Sequence, residues 1–238
     1  SISSMFISPQ TLRPIIHDSA RCPKQNSFSF RRLLYIMKTN GKGNDMKKQD
    51  DLPQAPRCRT HAQADSFAGA LNEHGLLYGR SFHALQAPAE SLHADSCQFV
   101  RCDFSAAQGK SEFLDCIFEG CDFSSADLSG SRFFRCQFLH CRMIGVDLIQ
   151  STLRDVSFEE CAMDYAGFGG SQFSRCRFQA CSLKESGFSN CTHKSLQFLS
   201  CRLQRSEFAS TSLSSLHFES DEIEGILVSR LFEGAQRP

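Results

Sequence analysis

Thirteen cysteines in 238 residues are the first candidates for chemistry. Thiolates bind zinc, exchange disulfides and attack electrophiles, and each use asks for its own spacing: close Cys pairs for a metal, a neighbouring cation or base for a nucleophile. The spacing here is of another kind. Cys97, Cys102, Cys116, Cys121, Cys136, Cys141, Cys161, Cys176, Cys181, Cys191 and Cys201 follow one another at five residues or a multiple of five, with a single exception between Cys102 and Cys116. His193 stands two residues after Cys191, but a metal site needs three or four ligands and an entry path. The stretch Gly167-Phe168-Gly169-Gly170-Ser171 is glycine-rich, yet no strand-to-helix switch follows that could cradle a phosphate. No phosphate loop, nucleophile elbow or zincin helix occurs. The chain reads as a non-enzyme, with no metal and no cofactor.

The elements that hold these thiols explain the spacing. Residues 111–230 divide into 24 five-residue units without insertion or deletion. The third residue of each is large and apolar (Phe113, Phe118, Phe123, Leu128, Phe133 and onward to Val228), except His193, and the first is usually small or a cysteine. A helix cannot bury marks five apart, because they drift round its whole surface. An extended ribbon that turns a corner every five residues can, with positions one and three pointing inward. Residues one full turn apart become neighbours in such a coil, and a shift of 20 sorts the sequence into columns. Ser111, Ser131, Ser151 and Ser171 form one. Cys121, Cys141, Cys161, Cys181 and Cys201 form another, and Phe118, Phe138, Phe158, Phe178, Phe198 and Phe218 a six-ring ladder. The turn is therefore four units, and six coils make a filled square rod roughly 30 Å long. Its cysteines lie inside as inert, small apolar groups, which points to a reducing, cytoplasmic setting. His193 reads as a neutral imidazole bonded to a backbone carbonyl.

The many Cys-x-Phe triplets, among them Cys97-Gln98-Phe99, Cys102-Asp103-Phe104, Cys136-Gln137-Phe138 and Cys176-Arg177-Phe178, resemble the pentapeptide-repeat family. They are most similar to its quinolone-resistance (Qnr-type) branch. The resemblance implies an all-β fold, a right-handed quadrilateral β-helix of about six to seven coils. It also implies a non-enzymatic rod that imitates B-form DNA, binds DNA gyrase and topoisomerase IV without binding nucleic acid itself, and dimerises through its C-terminal end. A plain protein-interaction scaffold with an unrelated partner is the alternative.

Around the repeat, residues 1–59 read as a leader and linker. The first 44 are basic and Ser-containing, as a transit peptide would be, or are disordered, or over-extend an ordinary start at Met46. No apolar run there is long enough to span a membrane. Residues 60–95 are the candidate N-terminal cap, with a short helix expected over Asp65 to His74. The β-helix is placed at 96–230, with one register break near Gly109 and an inward Asp221 near its end, and a tail at 231–238.

Residues 111–230 carry 16 acids and 11 bases, so the net charge of the rod is −5. Cross-coil pairs such as Glu112 with Arg132, Asp115 with Arg135, Asp155 with Arg175, Asp122 with Arg142 and Asp164 with Lys184 are expected to be exposed and to contribute about 0 to 1 kcal/mol each. The acidic excess falls on the Phe-ladder side, at Glu119, Glu159, Glu160 and Glu219, and on the fourth side, at Asp127, Asp147 and Glu207. These are the candidate DNA-like residues. Phe134 and Leu139, with Ile144 and Ile149, form an apolar belt that either binds a partner or is covered by residues 60–95.

Overall fold

The computed structural model describes residues 52–58, 62–213 and 216–228. The leader up to residue 51 and the tail expected at 231–238, with its dimer contact, lie outside the described residues.

The strands are all parallel and belong to one continuous system. The first wall stacks β2 (Leu77–Tyr78), β4 (His93–Asp95), β6 (Glu112–Leu114), β8 (Arg132–Phe134) and β10 (Thr152–Arg154). The second stacks β1 (Gln63–Ala64), β3 (Ser81–His83), β5 (Gln98–Val100), β7 (Ile117–Glu119), β9 (Gln137–Leu139) and β11 (Ser157–Glu159). Two longer strands, β12 (Gln172–Gln179) and β13 (Thr192–Leu199), turn the corner and serve both walls, and β14 (Leu216–Glu219) ends the second. Walls three and four are held by single parallel bridges, Asp122↔Arg142↔Ala162 and onward, and Asp127↔Asp147↔Gly167 and onward. A shift of 20 therefore relates direct neighbours, as in Phe118↔Phe138. The result is a parallel β-solenoid of about 8 turns.

Corners fall on the fifth residue of each unit, and among the described residues these take the left-handed conformation: Asp115, Gly120, Ser125, Gly130, Arg135 and their counterparts up to Gly225 have positive φ. A single left-handed residue redirects the ribbon without breaking the ladder on either side. Most of these positions are not glycine, so the backbone carries strain that the packed core must outweigh.

That core is a set of stacked columns. The Phe ladder of the second wall is longer than the six rings read from the sequence: it runs Phe67, Phe82, Phe99, Phe118 and on to Phe218, with successive centroids 4.5 to 5.2 Å apart. Neighbouring ladders meet it edge-on, as Phe123 does with Phe118 at 5.4 Å. Offset stacks along the axis and T-shaped contacts across it both suit the ring quadrupole.

The first-position column has a second task besides packing. Ser171 Oγ donates to the Leu148 carbonyl at 2.6 Å and accepts the Ser151 amide at 3.0 Å. Cys136 and Cys176 Sγ donate to the carbonyls of Phe113 and Leu153, both at 3.3 Å, in the same i to i−23 geometry. Hydroxyl and thiol thus serve the same buried corner peptides, which are costly to leave unpaired. This explains why Ser and Cys, and not Ala alone, fill the column.

Below residue 96 the chain departs from the expected cap. The parallel ladder already begins at β1, and β1 to β4 supply coils of the same stack. These coils are shorter than those of the repeat, since Leu77↔Ala94, Ser81↔Gln98, Gln63↔Ser81 and His93↔Glu112 all pair at smaller sequence offsets than Phe118↔Phe138. Shortened coils erase the five-residue phase, which hid them in the sequence. The expected helix shrinks to α1 (Phe67–Ala70), capped by Ser66 Oγ on the Gly69 amide. Its Phe67 lies flat on Phe82 and closes the end of the ladder.

Candidate protein-binding walls

Three of the thiols show how little chemistry the interior allows them. Cys97, Cys176 and Cys191 are buried, and desolvation pushes their pKa up to about 11, 12 and 11. A thiol that holds its proton at neutral pH is a poor nucleophile and a poor ligand. Among the described residues no cluster of three His, Cys, Asp or Glu could hold a metal. His193 Nε2 lies 2.5 Å from the Ser212 carbonyl. The expected carbonyl partner is there, but the ring is half-buried and not sealed in the core. Asp221 does point inward, taking the Cys201 amide at 2.6 Å and the Glu219 amide at 2.8 Å. Burial pushes its carboxyl up to about 6.

The outer surface divides into three parts. On the second wall, Glu119, Glu159 and Glu219 share one column, separated by Leu139, Gln179 and Leu199. Gln137 donates to Glu159 at 3.0 Å, and His140 lies 3.4 Å from Glu160. On the fourth wall Asp127 and Asp147 are direct neighbours, with Gly167 and Gly187 between them and Glu207. Both aspartates also accept the amide two residues on, from Ser129 and Ile149. The Ser129 hydroxyl and amide hold Asp127 below the usual carboxylate range. The second and fourth walls are opposite sides of a square coil, so the predicted acidic residues form two separate strips.

The first wall carries the apolar part. A cleft of about 370 Å³ is lined by Leu76, Leu114 and Phe134, with His93, Glu112 and Arg132 on its rim. Glu112 bridges the other two, to Arg132 and, at 3.6 Å, to His93. Phe134 is sandwiched by guanidinium groups, Arg135 at 4.5 Å and Arg154 at 4.9 Å from its ring centre. Leu139 and Ile144 are half-buried and Ile149 is exposed. The belt is thus broken up by charge and curvature, and from residues 60–95 Leu76, His93, Ala94 and Asp95 line the cleft beside Phe134.

The corner between the first and second walls departs most from the sequence reading. Asp115 and Asp155 are only 5% and 1% exposed, where surface pairs were expected. Arg135 holds Asp115 through two bonds of 2.7 and 2.6 Å, and Arg175 holds Asp155 through two of 2.6 and 2.5 Å. Burial is the largest influence on the Asp115 carboxyl and works against its charge, but the Arg135 hydrogen bonds, the Arg57 amide and the two positive charges together outweigh it and keep its pKa below the usual range. Part of the cover is residues 52–58, which lie along this corner: the Gln54 amide donates to Asp155 at 3.2 Å and the Arg57 amide to Asp115 at 3.0 Å. Of the other expected pairs, Glu112 meets Arg132, whereas Asp122 takes the Ser124 amide and Asp164 the Lys184 amide and the Ser182 hydroxyl.

One continuous system of parallel strands wound around a filled core places the chain in the class of β-solenoid repeat proteins. Within that class the chain belongs to the pentapeptide-repeat family, whose profile, described as a pentapeptide repeat region, matches residues 111–188 and 157–228. Among solved structures it is similar to a trypsin-treated QnrB1, described as a plasmid-mediated fluoroquinolone resistance protein. The match has 18% identity, covers 70% of this chain and 86% of that one, and has a TM-score of 0.35. It is also similar to HetL from the cyanobacterium Nostoc, a pentapeptide repeat protein involved in heterocyst differentiation regulation, with 14% identity over 68% and 90% of the two chains and a TM-score of 0.26. No curated protein matches the chain.

Proposed function

We propose that this chain is a non-enzymatic, DNA-mimicking rod that binds a type II topoisomerase, DNA gyrase or topoisomerase IV, and protects it from quinolone-type inhibitors or modulates it. The observation that carries the reading is the straight second wall, with Glu119, Glu159 and Glu219 in one column and Glu160 at its edge. Two coils separate Glu119 from Glu159, about 9.6 Å at the usual strand spacing. A rigid row of carboxylates on a rod is a surface that a basic DNA-binding saddle can accept, with steering that weakens as salt rises. The Cys-x-Phe interior adds the association with the quinolone-resistance branch, and buried thiols suit a cytoplasmic site of action.

A second reading, a scaffold for a partner unrelated to DNA enzymes, draws on the first-wall cleft between Leu76, Leu114 and Phe134. Supercoiling by purified gyrase, with and without ciprofloxacin and with micromolar full-length chain, tests the first. Rescue of supercoiling in the drug, lost in a Glu119→Lys/Glu159→Lys/Glu160→Lys variant, is the expected result. No change in either condition refutes it. An effect lost instead in Phe134→Ser/Leu139→Ser moves the contact to the apolar residues.

A further inference from the structure

Residues 52–58 read Leu-Pro-Gln-Ala-Pro-Arg-Cys, with two prolines three apart, each followed by a residue whose amide is used as a donor. Proline fixes its own φ at about −65° and keeps the residue before it extended, so Leu52 to Pro56 are biased towards a polyproline II helix. That helix repeats every three residues, rises about 3.1 Å per residue, and makes no internal hydrogen bonds. Its amides must therefore find acceptors elsewhere, and every third one points the same way.

The corner supplies acceptors at the matching interval. Asp115 and Asp155 are two coils apart, about 9.6 Å, and three polyproline II residues span about 9.3 Å. The corner residue between them is Arg135, which turns to Asp115 and leaves the strap's path to the carboxylates. Arg135 and Arg175 fix both acceptors by paired bonds, so each presents a set orientation. One coil below, Cys58 Sγ meets the Ser96 carbonyl at 3.5 Å. The alternation Asp115, Arg135, Asp155, Arg175 thus acts as a ruler with a two-coil period.

We propose that this corner is a recognition site for an extended Pro-x-x-Pro segment, occupied in this chain by its own residues 52–58. A segment of the same chemistry on another protein would compete for it. The corner adjoins both the carboxylate wall and the apolar cleft, so occupancy would alter the surface met by a partner at either. The proposal does not depend on which partner that is.

The test uses the full chain with Gln54→Pro and Arg57→Pro, which removes both donors and keeps the strap extended. A fluorescent peptide of the sequence Asp51 to Arg57 is titrated by polarisation against this variant and the unaltered chain. Binding to the variant, at least tenfold weaker binding to the unaltered chain, and a further tenfold loss when the peptide is N-methylated at its Gln54 and Arg57 nitrogens are expected. Equal binding to both chains, indifference to N-methylation, or no binding to the variant overturns the proposal. Amide exchange of Gln54 and Arg57 in the unaltered chain is an independent readout. Slow exchange, made fast by Asp155→Asn at Gln54, agrees with it; random-coil exchange at both positions refutes it.

Discussion

Replacing Ser171 by Ala tests whether the first-position column is chosen for hydrogen bonding or only for size. Ser171 is fully buried, and its hydroxyl makes two bonds, to the Leu148 carbonyl and from the Ser151 amide. Neither backbone partner becomes wholly orphaned, because the Ser151 amide keeps a longer bond of 3.2 Å to that same Leu148 carbonyl. The loss is then that of two modest buried bonds, at about 0.5–1.5 kcal/mol each, so roughly 2 kcal/mol in total. Ser171→Cys should lose less, about 1 kcal/mol, since a thiol keeps the donor to the carbonyl but accepts the amide poorly. Urea denaturation followed by circular dichroism measures both. A neutral or stabilising Ser171→Ala, or a Ser171→Cys variant worse than Ser171→Ala, would refute the argument and leave the column as a size filter.

Phe158→Ala removes a ring stacked at 4.8 and 4.7 Å on Phe138 and Phe178, and should destabilise by about 3–5 kcal/mol in the same assay. At the corners, exposed Tyr165 sits at φ 62°, so Tyr165→Gly should stabilise by about 0.5–1 kcal/mol, while Gly170→Ala, at φ 70°, should cost about 1 kcal/mol; thermal melts decide both signs. The two inner carboxylates should pull the pH dependence in opposite directions. Asp221 is raised to about 6 by burial, so folding takes up its proton, and stability rises as pH falls from 7 through 6 towards about 4. Asp115 is lowered by Arg135 against its burial, so its contribution is present above about 4 and is lost as pH falls below that. Denaturation at a series of pH values should show Asp221→Asn abolishing the first change and Asp115→Asn the second.

Columns one full turn apart, the inward thiols, the Phe ladder and the square coil were legible because a solenoid places sequence periods directly into contact. Charge neighbours followed by the same arithmetic, as Glu112 beside Arg132 and Asp115 beside Arg135 show. Coils between residues 63 and 95 were not legible, since a shortened turn keeps the pairing but destroys the phase that a reader would count. The opposition of the two acidic strips follows from the four-unit turn, yet adding their charges into one surface total conceals it.

The sequence by itself determined the interior, because inward positions recur at a fixed interval and their residue types are confined by packing. Tertiary structure alone decided the corner between the first and second walls. Nothing in residues 52–58 announces where an extended segment will lie, and Asp115 and Asp155 read as ordinary surface charges until that strap and two arginines are seen to bury them. A repeat prescribes its own neighbours, but a segment outside the repeat finds its place through acceptors far away in the chain.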